Sequence, residues 1–148
     1  MNDRNEVEIL IVEDNPNDAE MALRALKKNK ISNKVLVIGD GEEALDYIFK
    51  RGKFAQKKSQ HKPKIILLDL KLPKIDGLDV LKIIKNNPET GGIPVIVLTS
   101  SKEEADMIDS YRYGVNSYII KPVDFDKFVD AVKEIGLYWL ILNQQPSS

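Results

Sequence analysis

The sequence predicts a three-layer α/β sandwich, (βα)5, with one parallel sheet covered by helices on both faces. Two observations carry this reading. Short aliphatic runs alternate strictly with amphipathic helical stretches along the whole chain. The runs are also β-branched and nearly continuous, instead of alternating apolar with polar, as expected of strands buried on both sides. The size agrees: 148 residues, 43% of them hydrophobic and 30% charged, suit one domain over residues 1–148.

The first run, residues 8–12, is bounded by acids, and Asn15-Pro16 then reads as an N-cap with proline at the first helical position. Ala19, Ala22, Leu23 and Leu26 give that helix its apolar face. The second strand run is 34–38. Asp40 and Glu43 have capping-box spacing ahead of a helix carrying Ala44, Leu45 and Ile48. The third run, 65–68, leads into Asp69 and a delayed helix whose start is expected at Asp76, with Val80, Leu81 and Ile84 inward. The fourth run, 95–98, is followed by a second capping box, Ser101 with Glu104, and by Ala105, Ile108 and Tyr111. The fifth, 117–120, precedes a helix with Phe125, Phe128, Val129, Val132 and Ile135.

Two segments depart from this regularity. Residues 50–64, KRGKFAQKKSQHKPK, hold seven Lys or Arg and no acid, so a basic loop is expected between the second helix and the third strand. The C-terminal helix extends to about residue 143, and its apolar run 137–142 occupies too many faces to pack on one sheet. That excess predicts a second contact surface, read as a homodimer interface.

Composition excludes several classes. A net charge of -1 gives no reason to expect nucleic acid or membrane binding. No apolar run is long enough for a membrane span, and the N-terminus lacks the form of a signal peptide, so the cytoplasm is expected. The absence of cysteine removes disulfides and thiol chemistry.

In open parallel α/β sheets, ligands bind beyond the carboxyl ends of the strands, where the strand order reverses. Glu13 and Asp14 follow the first run, Asp69 the third, Thr99 and Ser100 the fourth, and Lys121 the fifth. A strand order of 2-1-3-4-5 gathers the three acids in one crevice, with Thr99 and Lys121 beside it. Capping explains them poorly: Asn15-Pro16 frees Asp14, Ser101 frees Thr99, and Asp69 stands seven residues ahead of Asp76. Two like charges ~4 Å apart repel by about 4 kcal/mol at an effective dielectric of 20. Three carboxylates therefore raise one another's pKa values or recruit a cation. Oxygen donors alone suit Mg2+, with Mn2+ as a substitute, and the single histidine, His61, falls in the basic loop, where it is expected to be solvated. A carboxylate, a divalent ion, a hydroxyl and an ammonium make a phosphoryl-transfer constellation, with Asp69 as the attacking group.

The stretches ILIVEDNPND (9–18), LLDLKLPKIDG (67–77), VLTSS (97–101) and YIIKP (118–122) resemble the two-component response-regulator receiver domains, which are CheY-like. The resemblance implies the flavodoxin-like strand order 2-1-3-4-5 and a set of roles. Asp69 matches the phosphoacceptor. Asp14 matches a direct metal ligand, Glu13 one acting mostly through water, and the Lys71 backbone carbonyl the third protein ligand. Thr99 and Tyr118 match the hydroxyl and aromatic switch residues, and Lys121 the lysine that pairs with the phosphoryl group, its bond to Pro122 being cis. EDNPNDAE, the basic loop and the apolar C-terminus resemble stand-alone receivers that serve bacteriophytochrome-type histidine kinases. Lys71 and Ser101 stand where many receivers carry other side chains that flank the hydrolytic water, which implies a long-lived aspartyl phosphate.

The expected function is that of a single-domain response regulator: phosphorylated on Asp69 by a sensor histidine kinase, catalysing only its own phosphorylation and dephosphorylation, and signalling by protein–protein contact to a downstream protein. Two alternatives belong to other classes. A receiver fold that is never phosphorylated would act as a passive interaction module. A phosphatase of the haloacid dehalogenase class would want an acid two residues after its nucleophile, where this chain has Lys71.

Overall fold

The computed structural model describes residues 7–28, 34–56, 62–111 and 114–136. Its strands are β1 (Ile9–Val12), β2 (Val35–Ile38), β3 (Ile65–Asp69), β4 (Val95–Thr99) and β5 (Ser117–Ile120). They form one parallel sheet in the order β2-β1-β3-β4-β5. The helices are α1 (Pro16–Lys28), α2 (Gly41–Phe49), α3 (Gly77–Asn86), α4 (Lys102–Tyr111) and α5 (Phe125–Glu134). The flavodoxin-like architecture expected from the alternation of elements is therefore the one observed.

Burial follows strand position. Every residue of β1, β3 and β4 is buried, whereas the edge strands β2 and β5 are partly open. Two cores result from the two-residue alternation of strand side chains. Ile9, Ile11, Ile65, Leu67, Ile96, Leu98 and Ile119 face the side of Ala22 and Leu26 from α1 and Phe128 and Val132 from α5. Leu10, Val12, Ile66, Leu68, Val95 and Val97 face Leu45 and Ile48 of α2 and Val80, Leu81 and Ile84 of α3.

The helix starts are set by side chains that accept from exposed backbone donors. Asn15 Oδ1 accepts from Asp18 N at 3.0 Å, Asp40 Oδ1 from Glu43 N at 2.6 Å, and Asp124 Oδ1 from Lys127 N at 2.8 Å. Ser101 Oγ accepts from Glu104 N at 3.2 Å. Asp76 differs from expectation. It holds the cap position of α3 but makes no side-chain cap bond.

Strands β3 and β4 run one residue further than the apolar pattern indicates. Asp69 pairs with Leu98, and Thr99 with Ile120, so both site residues belong to the hydrogen-bonded ladder. Each is paired on one side only, Asp69 with β4 and Thr99 with β5, and that single ladder carries the strand through a polar residue.

The basic segment opens with a 3-10 turn at Gly52–Phe54, and Lys50, at φ 56°, closes α2. Three of its cations meet acids of this chain: Arg51 with Asp46, Lys53 with Glu43 and Lys64 with Glu8, each at 3.0 Å. Residues 57–61 of that segment, including His61, and the apolar run 137–142 lie outside the described residues. No helix among the described residues is long and apolar enough to cross a membrane.

Candidate functional site

The carboxyl ends of β1, β3, β4 and β5 open into a cavity of about 390 Å³ lined by Asp14, Asp18, Asp69, Lys71, Ser100, Glu104 and Lys121, with Asn15 and Pro16 at its rim. The topology explains its place. β1 and β3 are neighbours, but the chain leaves them toward opposite sides of the sheet, which leaves a crevice between their ends.

The delayed start of α3 fixes the end of β3. Gly77 N donates to Leu70 O at 2.9 Å, and the first turn of α3 rests directly on the backbone after Asp69. This contact tolerates no side chain. A β-carbon on Gly77 would lie 2.6 Å from Leu70 Cα and closer still to Asp69 O. Asp69 is thus held at the cavity floor, 5% exposed, with Oδ1 accepting from Lys71 N at 3.2 Å.

Glu13 is buried beside it. Its Oε2 accepts from Asn15 N at 3.1 Å. Glu13, Asp14 and Asp69 each offer an oxygen, all within 4.8 Å of one another, and Asp14 is the exposed member. Such a set of hard oxygen donors fits a divalent cation.

Lys121 ties the acids together. Its ammonium donates to Glu13 Oε1 at 3.0 Å, Asp69 Oδ2 at 3.1 Å and Asp18 Oδ2 at 3.0 Å. Its backbone is fixed by Lys121 N donating to Thr99 O at 2.8 Å and by a cis peptide to Pro122. The electrostatics follow from this geometry. Burial pushes the Glu13 carboxyl up to about 7, aided by its hydrogen bond with Asp69 and opposed by Lys121. Burial also disfavours the Lys121 ammonium, but its bonds to Glu13, Asp18 and Asp69 outweigh that and raise its pKa.

Thr99, 1% exposed, lies on the other side of the same sheet edge. Its hydroxyl donates to Glu104 Oε1, which also accepts from Ser100 N at 3.3 Å. Tyr118 is 37% exposed on β5. It borders a second cavity of about 230 Å³ with Val97, Ala105, Val115, Asn116, Ser117 and Glu134.

The structure therefore brings Asp14, Asp69, Lys71 and Lys121 to the lining of one cavity, with Glu13 buried beside Asp14 and Asp69, Thr99 joined to the cavity through Glu104, and Tyr118 apart from it on β5. Two participants were not read as site residues from the sequence: Asp18, and Glu104, which was read only as the capping-box partner of Ser101. Both are first-turn helix acids, a common placement that the helix dipole and capping already explain. Their one signal was position, each lying within five residues of a strand-end candidate.

Residues 9–133 match the family described as "Response regulator receiver domain". The response regulator Rcp1 of Synechocystis sp. is 38% identical over 132 residues, spanning 89% of this chain and 88% of that protein. The bacteriophytochrome response regulator AtBRR superposes with a TM-score of 0.86 at 46% identity, covering 91% of this chain and 96% of its own. The bacteriophytochrome response regulator RtBRR gives 0.87 at 46%, covering 96% and 85%. The Mn2+-bound form of Rcp1 gives 0.71 at 37%, covering 90% and 94%.

Proposed function

Since the chain belongs to the response-regulator receiver family, we propose that it accepts a phosphoryl group on Asp69 from the phosphohistidine of a sensor kinase, in a reaction dependent on Mg2+. The observation that carries this is the Lys121 ammonium, which bridges Asp69 to the buried Glu13 at the floor of an open acidic cavity. An aspartate so held is a nucleophile whose neighbours are arranged around negative charge.

In the transfer, one Asp69 oxygen attacks phosphorus. A P–O bond forms, the P–N bond to the donor breaks, and its electron pair leaves with the imidazole. Lys121 offsets charge on the transferring group, and the Lys71 N–H steadies the Asp69 carboxylate. A divalent cation would be held by Asp14, Asp69 and the Lys71 carbonyl, with Glu13 acting mostly through water. When bound, it would neutralise phosphoryl oxygens. Rcp1 has been crystallised with Mn2+, which supports a divalent ion in the corresponding acids here.

The output follows from charge. Phosphorylation adds roughly -1.5 to -2 charges and new acceptor oxygens. Thr99 and Lys121 are drawn to them, and the shift reaches Tyr118 on β5. The signal then passes by protein contact in the cytoplasm. The names of AtBRR and RtBRR favour a phytochrome-type kinase as donor. A second copy of this chain is the partner proposed for the apolar run 137–142, with an unidentified downstream protein as the target.

The test is incubation of wild type and Asp69→Asn with acetyl phosphate and Mg2+, reading intact mass and sedimentation together. A gain of one HPO3 on wild type alone is expected, with a linked change in assembly. The absence of any Mg2+-dependent adduct would turn the reading toward a passive module, and steady turnover of a phosphomonoester toward a phosphatase.

A further inference from the structure

The Thr99 hydroxyl is already committed in the unmodified protein. Its surroundings are Glu104 Oε1, to which it donates, Ser101 O at 3.2 Å, and Ser101 N, which donates to it at 3.4 Å. A hydroxyl has one proton to give, and an ionised carboxylate is a stronger acceptor than a neutral carbonyl. The same Glu104 oxygen also takes the Ser100 N–H. One carboxylate thus occupies two adjacent donors at the end of β4, and it lines the cavity that holds Asp69.

We propose that Glu104 is an intramolecular competitor of the phosphoryl group, a carboxylate that holds the Thr99 hydroxyl and must be displaced before Thr99 can engage phosphorylated Asp69. The idea rests on Asp69 being the phosphorylation site. Its physical basis is twofold. The Thr99 proton goes to Glu104 or to a phosphoryl oxygen, but not to both. The incoming charge also repels Glu104, because both lie in one cavity, where Lys121 points to Glu13, Asp18 and Asp69 instead.

Displacement has a direct route outward. Glu104 sits in the first turn of α4, and its own N–H is held by Ser101 Oγ at 3.2 Å. Ala105, the next residue, is buried against the cavity that Tyr118 borders. A carboxylate forced off Thr99 therefore pulls on the turn that packs beside β5. In this arrangement Glu104 is a positioning residue. It sets how readily the unmodified site adopts the geometry of the phosphorylated one, and it forms the first link between the site and α4.

The experiment uses beryllofluoride, a phosphoryl stand-in, with Mg2+ and full-length protein. Binding is followed by NMR at the Ser100 amide and the Thr99 methyl, and phosphorylation by acetyl phosphate is measured in parallel by intact mass. Glu104→Ala is expected to tighten beryllofluoride binding by about tenfold, the weight of one charge-assisted hydrogen bond. Glu104→Gln, which keeps an acceptor oxygen but no charge, should fall between wild type and Glu104→Ala. In free Glu104→Ala, both NMR signals should already move toward their bound positions. In a Thr99→Ala background, the gain from Glu104→Ala should largely vanish. Unchanged or weaker binding in both Glu104 variants would overturn the proposal. So would an equal gain with and without the Thr99 hydroxyl, because that would be general relief of charge. If circular dichroism shows Glu104→Ala to be misfolded, the nearly isosteric Gln variant carries the comparison. Failure of the parent reading is seen separately, as wild type that takes neither phosphoryl nor beryllofluoride and matches Asp69→Asn.

Discussion

A β-carbon on Gly77 would stand 2.1 Å from the backbone carbonyl oxygen of Asp69. No real contact of that kind is that short, so the first turn of α3 and the end of β3 fit together only because residue 77 has no side chain. The glycine is thus part of how the site is made, although it touches no ligand. Gly77→Ala should force the two backbones apart and cost about 2 kcal/mol or more, in the range of an overpacked core. Urea denaturation measures the loss. Acetyl phosphate labelling should also slow, even though Asp69 is intact.

Lys121 holds three carboxylates that otherwise repel one another, and its side chain is only 17% exposed. Lys121→Met removes the cation but keeps much of the volume. Breaking one partner out of a largely buried ion pair costs about 3 kcal/mol. The loss should appear in denaturation with EDTA at pH 7.5 and shrink when Mg2+ is added, because the metal replaces part of the missing charge. A loss of equal size with and without Mg2+ would show that packing, not charge, is the role of Lys121.

Glu13 gives a pH dependence of defined sign. Burial raises its carboxyl from 4.5 to about 7 in the folded chain. The folded state therefore binds the extra proton between these values, and the unfolded state does not. The contribution is fully present below about pH 4.5 and is lost as pH rises through about 7. In EDTA, wild type should lose stability over that window relative to Glu13→Gln, which carries no titrating group there. Denaturation midpoints at pH 5 and pH 7.5 for both proteins test this, and parallel profiles would contradict it.

The phosphoryl group should persist. Lys71 is exposed at the rim, and the Ser101 hydroxyl is occupied in capping α4. Neither an ammonium nor a neutral hydroxyl is well suited to orient and activate a hydrolytic water. After acetyl phosphate is removed, the adduct on wild type should outlast seconds by a wide margin in Mg2+, as followed by intact mass. Decay within seconds would show that another group orients the water.

Five strands, the helix starts at Asn15, Asp40 and Ser101, and the candidates at the strand ends were all legible from local patterns in the chain. Continuous β-branched runs and capping chemistry are local, and the switch-point rule converts chain order into proximity. The partners of those residues were decided only by the tertiary structure. Asp69 shares its side of the sheet with Ile65 and Leu67 and meets Lys121, which also holds Asp18 of α1. Thr99 shares its side with Val95 and Val97 and meets Glu104 instead. Asp76 shows the converse, a cap in sequence that makes no side-chain cap bond, next to a glycine whose N–H goes to Leu70 O. The physical reason is the same in each case. A helix acid reaches a sheet edge only if core side chains from distant parts of the chain fix the angle and height at which that helix packs. No local pattern encodes that sum.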